Sequence, residues 1–174
     1  MYREPTSPAQ SPAMSTKVNI GISAEHRTSV NKLLAKNLAD LHVLYIKTRN
    51  IHWNIVGARF QPLHEFFEKQ YTEIAEAVDV VAERIRKLGG VAPGSMKEFL
   101  AEARLEERPG SPVDGDEALT ILEADHEAII RQLRKDIDKC ADELGDQGTA
   151  DFLTALIQEH EKAAWMLRSF SQKA

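Results

Sequence analysis

Between Ser23 and His52, apolar side chains return every three or four positions, at Leu34, Leu38, Leu41 and Tyr45. That is the period of one buried stripe on an α-helix, so the pattern predicts a first helix over 23–52. A short connection follows from Asn54 to Gln61, with Gly57 inside it. Pro62 then stands where a first helical turn tolerates it, because its missing N–H would be unpaired there anyway. The second helix is predicted to run to about Leu88 and to stop at Gly89-Gly90, which can supply a left-handed cap. From Gly89 to Val113 the chain is punctuated by Pro93, Gly94, Pro109, Gly110 and Pro112, with a short helix predicted over 95–104. Asp114 with Glu117 three residues later has the pattern of a capping box opening a third helix, which ends near Gly145. Thr149 is placed to cap a fourth helix carrying Phe152, Leu153, Leu156, Ile157, Trp165 and Phe170. No strand pattern and no internal repeat stand out.

The connections read short, long, short. Short ones demand antiparallel neighbours, and a long one can cross the bundle. The expectation is an all-α four-helix bundle with one long crossover that contains a short helix. A plain up-and-down bundle or a helical interaction module fits the same helices. Residues 1–22 are rich in Pro, Ser and Thr without apolar periodicity and read as a flexible tail, leaving 23–174 as the folded domain.

Composition narrows the class. A chain of 174 residues is one domain by size. Cys140 is the sole cysteine, so no intrachain disulfide exists, which fits a reducing compartment. The apolar runs are far shorter than the roughly 20 residues of a membrane span, and Met1 to Ser15 lacks the apolar core of a secretory signal. A cytoplasmic protein without a membrane partner is expected. The net charge of −5 disfavours nucleic acid as a default partner.

The candidate chemistry lies on the second helix. His64, Glu68, Asp79 and Glu83 fall within one arc of about 100°, with Ala75 leaving room at its centre. One chain cannot use all four together. His64 and Asp79 would be about 22 Å apart along a helix, whereas a metal–ligand bond is about 2 Å. Yet His64 with Glu83, and Glu68 with Asp79, share one midpoint, between Glu73 and Ile74. An antiparallel copy crossing there about a two-fold axis would set His64 opposite Glu83 and Glu68 opposite Asp79, twice over. His52, at the end of the first helix, can join His64 and Glu68 from its own chain. Mixed nitrogen and oxygen ligands suit iron and would also accept Zn2+ or Mn2+. The plainer reading is a solvated charged face, since exposed helices commonly carry carboxylates.

A rival site has half of its motif. Bundle-core di-iron proteins place Glu-x-x-His on each of two helices. Glu123-Ala124-Asp125-His126 supplies one copy, but Ile157 stands three residues before His160, so the second is missing.

The run Thr48-Arg49-Asn50-Ile51-His52-Trp53-Asn54, then Gly57, Phe60, His64-Glu65, Asp79-x-x-Ala82-Glu83-Arg84 and Leu88-Gly89-Gly90, resembles the Dps miniferritins (DNA-binding protein from starved cells). The likeness covers nearly the whole chain after the tail, as far as Trp165-Met166. It implies a ferritin-like four-helix bundle assembling as a hollow homododecamer. Its two-fold dimer interfaces would carry ferroxidase sites, with His52, His64, Asp79 and Glu83 as ligands and Trp53 beside them. Many members carry Asp where this chain has Glu68, and the extra methylene shifts the carboxylate oxygens. The resemblance further implies oxidation of Fe(II), preferably by hydrogen peroxide, and storage of ferric oxyhydroxide, protecting against oxidative damage.

Iron needs an entrance, and Asp142, Glu143, Asp146 and Asp151 cluster around the corner between the last two helices. Asp142 and Glu143 lie near a helix C-terminus, where the dipole opposes them, so an acidic three-fold pore is expected there. Family members that condense DNA commonly use a lysine-rich tail. Here Met1 to Thr16 offers only Arg3 against Glu4, and twelve chains at −5 each would total about −60. Weak or absent duplex binding is expected.

Overall fold

The computed structural model describes residues 18–172, and the expected tail lies mostly outside that range. The chain forms α1 (Ala24–Asn54), β1 (Ile55–Val56), α2 (Phe60–Lys87), α3 (Met96–Glu102), β2 (Val113–Asp114), α4 (Gly115–Asp138), a π-helical turn (Lys139–Glu143) and α5 (Gln147–Ser171). Four long helices make the bundle and α3 is the short helix of the crossover, as the patterning predicts.

The apolar stripe of α1 is the spine of the core. Leu34, Leu38 and Leu41 are fully buried against α2, whose Leu63, Phe67, Val81 and Ile85 are equally enclosed. Each such side chain contributes roughly 1.5–3 kcal/mol by leaving water. α4 packs along α5 as α1 packs along α2, while α2 and α5 scarcely touch and leave a groove between them.

The two-residue strands are a finding that the sequence pattern did not disclose. Ile55 pairs with Val113 and Val56 with Asp114, in parallel. The end of α1 therefore lies beside the start of α4, so the crossover must travel back along the length of the bundle. Segments of two residues carry no readable alternation, which is why they escape pattern analysis. The crossover is held on its way by polar bonds. Arg104 donates from its backbone N–H and Nε to the buried Asp40 carboxylate at 2.6 and 2.7 Å, and from Nη2 to Asn37 at 2.7 Å. Asn37 in turn donates to Asp136 of α4 at 2.9 Å.

Two ends differ in detail from expectation. Asp146, not Thr149, caps α5: its carboxylate accepts from the Thr149 N–H at 2.9 Å and from the Thr149 hydroxyl at 2.5 Å. The third helix also does not run unbroken toward Gly145 but widens into the π-helical turn. Gly89 and Gly145 both take positive φ, 82° and 63°, where glycine avoids a side-chain clash. Among the described residues, no helix is long and apolar enough to cross a membrane.

Candidate metal centre

The turn between α1 and α2 is what brings distant residues together. Asn54 closes α1 by donating to the Asn50 carbonyl at 2.8 Å, Gly57 takes φ 107°, and the Phe60 N–H bonds back to the Gly57 carbonyl at 3.0 Å. Arg59 pins this corner, pairing with Asp116 of α4 and donating to the Phe170 carbonyl of α5 at 3.1 Å. The result is an antiparallel return that sets His52 beside His64.

Those two imidazoles stack with centroids 3.7 Å apart and planes inclined by 19°. Nδ1 of His52 lies 2.8 Å from the backbone oxygen of His64, and Nδ1 of His64 lies 2.8 Å from the backbone oxygen of His52. A carbonyl oxygen can only accept, so each Nδ1 carries the proton and donates. In the neutral rings both Nε2 atoms then hold a free lone pair. Backbone bonds of this kind fix the tautomer and the aim of metal-binding histidines.

An aromatic and cationic wall surrounds the pair. Tyr71 meets His52 edge-on at 5.2 Å, and Phe60 stacks on His64 at 5.0 Å. The Arg49 guanidinium lies 4.9 Å from the Trp53 ring and 5.5 Å from that of Tyr71, and it donates to the Tyr45 hydroxyl at 2.9 Å. Tyr45, Arg49 and Trp53 follow one another at four-residue steps, so helical pitch alone puts them on one face of α1. Tyr71 donates a long bond of 3.4 Å to Glu68. Loss of hydration and the nearby Glu68 carboxylate raise the Tyr71 phenol above its ordinary value, so it stays a donor at neutral pH.

Glu68, Asp79 and Glu83 all stand on exposed positions of the unbroken helix α2, as does Ala75. Glu83 is paired with Lys87 at 3.2 Å across the helix surface. Among the described residues, no group of three or more His, Cys, Asp or Glu side chains gathers around a point that could hold an ion. The fold thus assembles His52 and His64 and leaves the carboxylates of α2 facing outward.

At the corner between α4 and α5, Asp142, Glu143 and Asp151 are exposed. Asp146 is not, which takes it out of the acidic entrance expected at this corner. It is 2% exposed, caps α5 and accepts from Arg84 at 3.2 Å. A carboxylate whose oxygens are taken up by a cap and an ion pair cannot line a water-filled opening. The rival bundle-core motif fails structurally as well. Glu123 turns toward Arg168 at 3.3 Å on the surface, while His126 points into the interior.

Comparison with known proteins gives one consistent picture. The model of the ferritin-like domain matches residues 31–174. A low-temperature-induced protein of Nostoc is 47% identical over 154 residues, covering 88% of this chain and 86% of that one. DNA protection during starvation protein 2 of Bacillus anthracis is 39% identical over 144 residues, 81% of this chain and 95% of its own. In structure, a Dps protein of Vibrio cholerae superposes with a TM-score of 0.84 at 33% identity, covering 93% of this chain and 100% of that one. Its description places it in a superfamily of ferritin-like diiron-carboxylate proteins.

Proposed function

Because the chain belongs to the ferritin-like family and, within it, to the Dps proteins, we propose that it is a ferroxidase and iron store. Fe(II) is its substrate, bound at sites shared by two subunits, oxidised there and kept as ferric oxyhydroxide inside a hollow dodecamer. The observation that carries this reading is the reciprocal bonding of His52 and His64. Two Nε2 lone pairs are held ready by backbone carbonyls, and among the described residues no group of three or more His, Cys, Asp or Glu side chains completes a site around them.

Two-fold pairing supplies the remainder. An antiparallel neighbour crossing α2 near Ala75 would present Asp79 and Glu83 to the imidazoles of the first chain, with Glu68 in reach of a second ion or a bridging water. The exposure of those carboxylates in the single chain supports this, because a buried set could not serve a neighbour. The imidazoles retain Fe(II), and the carboxylates favour Fe(III) once charge accumulates. With hydrogen peroxide, two Fe(II) give up one electron each, the O–O bond breaks, and two protons complete two waters. Delivering both electrons together avoids the hydroxyl radical.

The test is peroxide-driven oxidation of Fe(II) without air by the His52→Ala, His64→Ala double variant. The rate is expected to fall by at least the roughly 10–100-fold typical of losing a partner of a metal ligand. An unchanged rate removes the assignment. The name of the Bacillus anthracis relative speaks of DNA protection. For this chain, at −5, protection through removal of iron and peroxide fits better than coating of the duplex.

A further inference from the structure

The groove left between α2 and α5 has a polar floor that the ferroxidase reading does not use. His126 of α4, His160 of α5 and Gln70 of α2 line it, and each is no more than 4% exposed. Nδ1 of His126 lies 2.9 Å from Nδ1 of His160. Two neutral imidazoles can share a single hydrogen bond there, one donating and one accepting. Nε2 of His126 is left buried without a partner, and so are both the nitrogen and the oxygen of the Gln70 amide. The neighbouring lining is largely apolar, from Ile74, Ala77, Phe152 and Leu156, and offers these atoms nothing. A buried polar group without a partner costs about 1–3 kcal/mol, so a ligand that engages the Gln70 amide oxygen is stabilising.

We propose that this floor is a second, intrachain binding site for a single borderline d-block dication such as Zn2+, held by Nδ1 of His126, Nδ1 of His160 and the Gln70 amide oxygen. Two nitrogens bound at about 2.0–2.1 Å in a tetrahedral arrangement stand about 3.3 Å apart. Admitting the ion takes about 0.4 Å of added spacing together with a turn of the rings that makes both Nδ1 lone pairs converge on it. Burial lowers the pKa of both imidazoles, that of His160 to about 4, so both are neutral at neutral pH and each offers a lone pair at Nδ1 in its Nε2–H tautomer. Imidazole and amide donors without a carboxylate select borderline cations over Mg2+ and Ca2+. Glu73, Glu76 and Glu159 also line the groove and supply compensating charge. The ligand set shares no residue with the His52 and His64 pair, and it is not the Glu-x-x-His arrangement, since Glu123 is engaged with Arg168.

Crystals of the unmodified protein soaked in Zn2+ and measured across the zinc absorption edge test the site directly. An anomalous peak between His126 and His160 is expected. Peaks at His52 and His64 with none between His126 and His160 overturn the proposal while leaving the ferroxidase reading intact. In solution, Co2+ is titrated into protein carrying His52→Ala and His64→Ala, to remove the other site. Addition of His160→Leu should lower the bound Co2+ by one per chain, and Gln70→Leu should weaken binding about tenfold, or 1.4 kcal/mol. An unchanged Co2+ stoichiometry in His160→Leu contradicts the site.

Discussion

At the scale of single residues, the same side-chain type does opposite jobs a few positions apart. Asp142 and Asp146 are both acids at the same helix corner, yet one is exposed and the other is buried in a cap and an ion pair. The distinction predicts separable phenotypes. Asp146→Ala should cost about 2–4 kcal/mol of stability, because it removes a helix cap and leaves Arg84 without its buried partner. Denaturant unfolding reads this. Asp142→Asn with Glu143→Gln should stay within about 0.5 kcal/mol of the parent, as exposed substitutions usually do, while slowing iron uptake. Cys140 is a further contrast between type and environment. Desolvation, aided by Asp146 and Asp136, pushes its thiol up to about 12, so its sulfur remains a protonated core side chain.

At the scale of elements, helices depend on contacts outside themselves. The short α3 has a complete capping box, in which Ser95 and Glu98 bond each other's ends, but seven residues are too few to persist alone. Phe99 docks it on α1 by stacking on His42 at 3.6 Å. Burial lowers the pKa of His42, partly offset by its bond to the Leu38 carbonyl. A histidine whose folded pKa lies below its unfolded value of about 6.5 contributes stability above that pH and loses it as pH falls below. Amides of 96–102 should therefore exchange faster at pH 5 than at pH 7 after correction for intrinsic rates. His42→Phe should flatten that pH dependence. The α1–α2 turn matters in the same way, since its five residues decide that His52 meets His64. Short connection length made the antiparallel return legible in the sequence. The paired backbone bonds of the imidazoles were not, because they depend on ring positions to a fraction of an ångström.

At the scale of the whole molecule, the exposed face of α2 is where assembly and chemistry would coincide. Ala75→Arg places a long cation at the proposed crossing point of two copies. Light scattering should then show species smaller than the parent assembly, and iron oxidation should fall at least about tenfold, equivalent to 1.4 kcal/mol of transition-state stabilisation. Retention of both size and activity would mean that the crossing lies elsewhere. Net charge predicts the other assembly-level property. At about 150 mM salt, duplex DNA should show no shift with the protein, since a net charge of −5 per chain opposes phosphate and the few favourable contacts are strongly screened.

The linear chain alone determined the all-α character, the four long helices and the crossover. Hydrophobic period, glycine stops and proline positions are local properties, and each element expresses them independently of its neighbours. The common arc of His64, Glu68, Asp79 and Glu83 was equally local, a consequence of helical pitch. Only the tertiary structure decided which polar groups are engaged and which are free. It set His52 against His64, buried Asp146 under Arg84, and brought His126 of α4 to His160 of α5 across 34 residues. Packing selects such pairs through shape and distance in three dimensions, and side chains remote in the chain carry no periodic trace of one another.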